Sequence, residues 1–194
     1  MPSISIAAAI IQLLSTAAPP GIDILTSTPC TGPLSSKLAP SQCVGWQSLH
    51  DALFSEAKGC TAARNSPCDA CSQGVRCNGM DITSITLGQI SLIGTIPSEI
   101  GTQLPHLEVL ELGFNNITGA IPASLVGLTN LRDLVVNNNS MSGRIPAFRF
   151  DQFTKLHGFC ALGNQYGAKG WCAPLPPGAA ACNNWGPVTT TQPC

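Results

Sequence analysis

The stretch that decides the fold is Leu107-Glu108-Val109-Leu110-Glu111-Leu112-Gly113-Phe114-Asn115, closed a few residues later by Gly119-Ala120-Ile121-Pro122. Its pattern, L-x-x-L-x-L-x-x-N and then G-x-I-P, returns at Leu131, Leu134, Val136 and Asn139 with Gly143-Arg144-Ile145-Pro146. A weaker copy comes before it: Ile82, Ile85, Leu87 and Ile90, then Gly94-Thr95-Ile96-Pro97. A partial fourth, Leu156, Phe159, Ala161 and Asn164, lacks the G-x-I-P step. The glycines at 94, 119 and 143 set periods of 25 and 24 residues. Self-similarity at such a period marks a solenoid, in which each unit buries its apolar side only against its neighbours.

Within a unit, the alternation at Leu110 and Leu112 has period two and predicts a short strand. Strands of successive units stack in parallel. Asn115, Asn139 and Asn164 then fall in the turn after each strand, where a side-chain amide can both donate to and accept from backbone groups the turn leaves unpaired. Ile90 replaces that asparagine in the first unit, as expected where a repeat meets a cap. In G-x-I-P, glycine permits a sharp turn and proline suits an extended or short helical return. Residues 123–128 have room for one or two helical turns.

These motifs resemble the plant-type leucine-rich repeat, and the resemblance covers roughly residues 43–164. It implies an α/β solenoid: a short right-handed superhelix with parallel strands on its concave face and disulfide-bonded caps at both ends. Gly74-Val75-Arg76-Cys77 resembles the step by which that family's N-terminal cap enters the first strand, although the tryptophan often found before the glycine is absent. The stretch from Gly170 to Pro176 resembles the family's closing cap.

The 194-residue chain has room for one domain with tails. Its net charge of -1 offers no basic surface for nucleic acid, and only 10% of its residues are charged. Cysteine says more. Cys30, Cys43, Cys60, Cys68, Cys71 and Cys77 precede the clear repeats, and Cys160, Cys172, Cys182 and Cys194 follow them. Both groups are even, so five disulfides can form without crossing the solenoid, though spacing does not give the pairing. Disulfides stabilise caps that have little core of their own and imply an oxidising compartment.

The expected organisation follows. Residues 1–18 read as a secretory signal: a short apolar run with small residues near Ala17 and Ala18, but without the usual basic start. Residues 19–42, rich in Pro, Ser and Thr, read as a loose lead-in. Residues 43–81 form the N-terminal cap, with Trp46, Leu49, Leu53 and Phe54 on one helix face against the first repeat. Residues 82–164 hold about four repeats, with Phe148, Phe150 and Phe153 thickening the core after the third. Residues 165–194 form a C-terminal cap and tail. No later segment is long enough to cross a membrane, so the chain, if complete, is expected to be soluble or held by a partner such as a membrane receptor.

No catalytic set is visible. His50, His106 and His157 lack motif context, and carboxylates are sparse. Binding is the better reading, with no cofactor or metal. Residues alternating with the core leucines face the concave surface: Ser84, Thr86, Gly88 and Gln89; Val109, Glu111, Gly113 and Phe114; Asp133, Val135, Asn137 and Asn138; Gly158, Cys160, Leu162 and Gly163. Their centre is Val109, Glu111, Phe114, Asp133 and Val135. Sequons at Asn116 and Asn138 mark candidate glycosylation sites. The family resemblance, which includes polygalacturonase-inhibitor-like proteins and receptor-kinase ectodomains, implies a secreted module that recognises a protein, a peptide or a cell-wall polysaccharide at the cell surface or wall. The alternative is a structural extracellular glycoprotein with no dedicated ligand.

Cys68-x-x-Cys71 with Cys60 and Cys77 has a zinc-like spacing, but ten cysteines in even groups favour disulfides. Metal analysis of the purified, oxidised protein is expected to return no stoichiometric zinc; one zinc per chain would sink the disulfide reading.

Overall fold

A computed structural model describes residues 28–54, 60–143, 155–156, 158–161, 163–164 and 180–181. The signal, Pro146, the phenylalanine cluster at 148–153, His157, Leu162 and the cysteines at 172, 182 and 194 lie outside these residues.

The period-two segments are strands. β1 (Val75–Asn78) and β2 (Asp81–Thr86) form an antiparallel hairpin. From β2 onward the sheet is parallel: β4 (Val109–Glu111), β6 (Asp133–Val135), β7 (Gly158–Cys160) and β8 (Ala180–Ala181) follow in chain order. Ile85, Leu110, Leu134 and Phe159 are register partners, and all four are buried. Leu107, Leu112, Leu131 and Val136 flank this column at 0% exposure, so each L-x-x-L-x-L line points inward.

The asparagines act as the sequence predicts. The Asn115 Nδ2 donates to the carbonyls of Leu87 (2.8 Å), Leu112 (3.0 Å) and Gly113 (3.2 Å), and its Oδ1 accepts from the Ile90 and Leu92 amides. Asn139 repeats this one unit on, donating to Leu112, Val136 and Asn137 and accepting from Ile117. Asn164 donates to Val136 and Ala161 and accepts from Met141. Each amide thus joins its own turn to the preceding one. Ile90 sits where the preceding element is the β1 hairpin rather than another repeat, so no earlier turn needs that bond.

The returns after β2 and β4 each hold a strand that the apolar spacing does not announce. β3 (Ile93–Thr95) and β5 (Asn116–Thr118) form a second parallel pair. The G-x-I-P glycine Gly94 lies within β3 at φ +123°, and a Cβ there would collide with the Ala52 carbonyl oxygen. That carbonyl belongs to α1 (Pro40–Leu53), which packs against β3 and against α3 (Ile100–Gln103) in the first return. Trp46, Leu49 and Leu53 are fully buried and Phe54 nearly so, as the helical spacing predicts. Residues 123–127 form a 3-10 turn.

Of the lead-in expected to be loose over 19–42, residues 28–42 are described, and they are tied down. A 3-10 turn spans Ser35–Lys37, α1 begins at Pro40, and Cys30 is bonded to Cys43. Asp69, in α2 (Pro67–Ala70), supplies the reason. Its carboxylate accepts from the Leu34 amide (3.0 Å), the Ser35 amide (2.9 Å) and the Ser35 hydroxyl (2.7 Å). Polar, proline-rich sequence is not loose when a carboxylate satisfies its backbone. Cys60–Cys71 and Cys68–Cys77 complete the cap, so its six cysteines pair among themselves. Cys160 is also disulfide-bonded, to a partner outside the described residues. In the chain-entropy picture the three cap disulfides, which close sequence separations of 13, 11 and 9 residues, are each worth about 3 kcal/mol. By comparison, the Asp51–Arg64 pair is half exposed and worth at most about 1 kcal/mol despite its short contacts.

Two measurements test this scheme. Replacing Asn139 by Leu strands several buried backbone groups, at about 1–3 kcal/mol each. Urea unfolding of N139L is expected to show a loss of at least ~3 kcal/mol; a loss under about 1 kcal/mol would refute the ladder's role. The second is pH. The Ser35 hydroxyl bond, with the Ser35 and Leu34 amides, holds the Asp69 carboxyl below its ordinary value, and the Arg64 guanidinium does so for Asp51. A depressed carboxyl stabilises the fold above its unfolded-state pKa, near 3.8, and that stability is lost as pH falls through the folded value. Stability is therefore expected to be flat near neutrality and to fall below about pH 4, less steeply in D69N.

Candidate functional site

Parallel register decides which side chains meet on the outward face of the sheet. Ser84, Val109, Asp133 and Gly158 form one column; Thr86, Glu111, Val135 and Cys160 form the next. Neighbouring strands lie about 4.8 Å apart. Val109, Glu111, Asp133 and Val135 are thus brought together as predicted, two carboxylates and two valines placed diagonally, all half-buried. Asp133 leans over the next strand, where a Cβ on Gly158 would collide with its Oδ1. The small residue at 158 leaves that room.

Phe114 is not at the centre of this face. It follows the strand in a left-handed turn with φ +59°, and Gln89 (+61°), Asn138 (+50°) and Gly163 (+68°) hold the same position in the other repeats. This row forms the lip of the sheet at the strands' C-terminal ends. Asn137, expected on the concave surface, is instead 2% exposed. Gly113 beside it has no side chain, and the Asn137 amide fills the slot, its Oδ1 against Gly113. Glycines at 88 and 113 were the available signal that a side chain one repeat later could turn inward.

The opposite edge carries charge. Arg132 lies 3.6 Å from Glu108, His106 3.9 Å from Asp81, and Lys155 donates to Asn130 at 2.8 Å. His50 is far from this edge, stacked on Phe54 in the cap with its Nε2 3.1 Å from the Thr61 carbonyl. Among the described residues no cluster of three or more His, Cys, Asp or Glu could hold a metal. Cys60, Cys68, Cys71 and Cys77, the zinc-like set, are taken up in disulfides. Among the described residues no helix is long and apolar enough to cross a membrane.

Of the two sequon asparagines, Asn116 is exposed on β5, with Ile117 buried and Thr118 exposed beside it. Asn138 is exposed on the lip, and its Oδ1 lies where a Cβ on Gly163 would be.

Comparison with known proteins agrees with this geometry. Residues 82–141 match the family described as "Leucine rich repeat". Receptor-like protein kinase 7 of Arabidopsis thaliana is 40% identical over 86 residues, which is 43% of this chain and 9% of the kinase. The chain therefore spans under a tenth of that relative. Among solved structures, PEPR1 in the PEPR1–AtPEP1 complex aligns with a TM-score of 0.58 at 26% identity, covering 66% of this chain and 18% of that one. The ectodomain of the receptor kinase SOBIR1 from Arabidopsis thaliana aligns at 0.56 and 24% identity, covering 67% and 70%, a likeness of fold. Residues 82–141 are thus similar to leucine-rich repeats, and the described fold is like that of plant receptor ectodomains.

Proposed function

We propose that this chain is a non-catalytic, extracellular recognition module that binds a protein or peptide across the outward face of its parallel sheet. On this reading the solenoid is a short right-handed superhelix, that face is concave, and the chain is secreted, with disulfides in both caps. The observation that carries the reading is the register of β4 and β6. It sets Glu111 and Asp133 diagonally between Val109 and Val135, on strands held rigid by a fully buried core. Half-buried valines offer apolar area, and the two carboxylates orient a partner and select for positive charge. Phe114 at the lip adds the aromatic anchor that the face lacks. PEPR1, solved together with AtPEP1, is a precedent for a bound partner on this fold. A cell-wall polysaccharide is a weaker fit, because no aromatic side chain stands at the centre of the face to stack on a sugar.

The test is a screen of the oxidised protein against native extracellular fluid, followed by a triple variant, E111Q/D133N/F114N. Asparagine tolerates the left-handed backbone at 114, so the fold is expected to survive, with an unchanged urea midpoint. Saturable binding is expected to fall at least tenfold, and wild-type binding to weaken with added salt. Undiminished binding by the folded variant would move the site off this face. Failure to recover any saturable partner in repeated screens would favour a structural glycoprotein.

A further inference from the structure

The β3–β5 pair has an outward face of its own, distinct from the long sheet. Ile93 is the register partner of Asn116, and Thr95 of Thr118. The next return continues this arrangement: the Ser140 amide donates to the Ile117 carbonyl and the Ser142 amide to the Gly119 carbonyl, both at 2.8 Å. At the middle of this face stands Asn116. Its backbone is a strand, and its side chain is exposed with no hydrogen bond to any described residue. Two residues on, the Thr118 hydroxyl is also exposed and donates to the Gly94 carbonyl at 3.0 Å. Every atom the modification needs is thus on the outside, and the buried Ile117 between them anchors the strand without blocking it.

The second sequon is placed differently. Asn138 has a left-handed backbone, and its Oδ1 and Cγ pack over Gly163 of the following repeat. The next residue, Asn139, is 8% exposed and held by the ladder's bonds. A sugar on Asn138 has to be seated against that packing and stand on the lip of the parallel sheet.

We propose that Asn116 carries an N-linked glycan while Asn138 does not, so that the glycan covers the β3–β5 face and leaves the long sheet open to a partner. Only the openness of that sheet to a partner rests on the recognition reading above; the site assignment stands without it. The donor is an oligosaccharide on a polyprenyl diphosphate in the secretory pathway. The Asn116 Nδ2 bonds to the sugar C1 as the C1–O bond to phosphate breaks. The diphosphate leaves with the electron pair, and the amide loses one proton.

Trypsin separates the two sites, because cleavage after Arg76, Arg132 and Arg144 puts Asn116 in the peptide 77–132 and Asn138 in 133–144. The full chain is secreted from a eukaryotic host, reduced, digested and enzymatically deglycosylated in heavy-oxygen water, which marks each formerly glycosylated asparagine. The expected result is the mark at Asn116 in most molecules and at Asn138 in fewer than one in ten. The intact mass is expected to fall by one glycan in N116Q and to keep that glycan in N138Q. An unmarked Asn116 in secreted protein, or equal marking of both sites, overturns the proposal. Neither readout involves a ligand, so this failure is separate from a failure of the binding screen.

Discussion

Three asparagines carry the constraint on which the rest of this molecule depends. A solenoid turns its chain through the interior at every repeat, and each turn leaves buried backbone donors and acceptors. Asn115, Asn139 and Asn164 satisfy them, each reaching from its own turn to the one before. Those bonds lock adjacent repeats at one offset. The parallel register of β2, β4, β6 and β7 follows, and with it the columns of side chains on the outward face. A slip of one residue in any strand would exchange the buried and outward sets, so the ladder governs the binding surface as much as the core.

The caps solve a different problem with different chemistry. The first repeat has no predecessor, so β1 covers its edge as an antiparallel partner and α1 covers its return side. Among the described residues the cap's large apolar side chains are chiefly Trp46, Leu49, Leu53 and Phe54, and the disulfides reinforce them. Asp69 ties the chain ahead of α1 to the cap through neutral donors, while the Asp51–Arg64 pair, in solvent, contributes little. The cap's dependence on carboxylates is therefore local and visible as acid sensitivity rather than salt sensitivity.

How far the sequence could be read depended on whether a residue acts within its own repeat. Leu110 and Leu134 point inward because alternation along a strand demands it, and their column was legible. Asn115 and Asn139 were legible for a similar reason: the turn they serve recurs at a fixed offset. Alternation places Asn137 outward, but its burial is decided by Gly113 in the neighbouring repeat, not by its own strand. Phe114 stands at the lip rather than the centre, because the pattern does not state where the strand ends and the left-handed turn begins. The anchoring of residues 28–42 is not legible locally, because Asp69, more than thirty positions away, supplies acceptors to Leu34 and Ser35.

The sequence by itself determined the repeat, its period, the inward leucines, the asparagine ladder and the grouping of cysteines, since each of these repeats along the chain or pairs by number. Only the tertiary structure decided which cap cysteines bond, that the returns form a second sheet, and which outward residues share the face with Glu111 and Asp133. Those outcomes depend on contacts between segments far apart in the chain, and no local periodicity encodes the distance between two such segments.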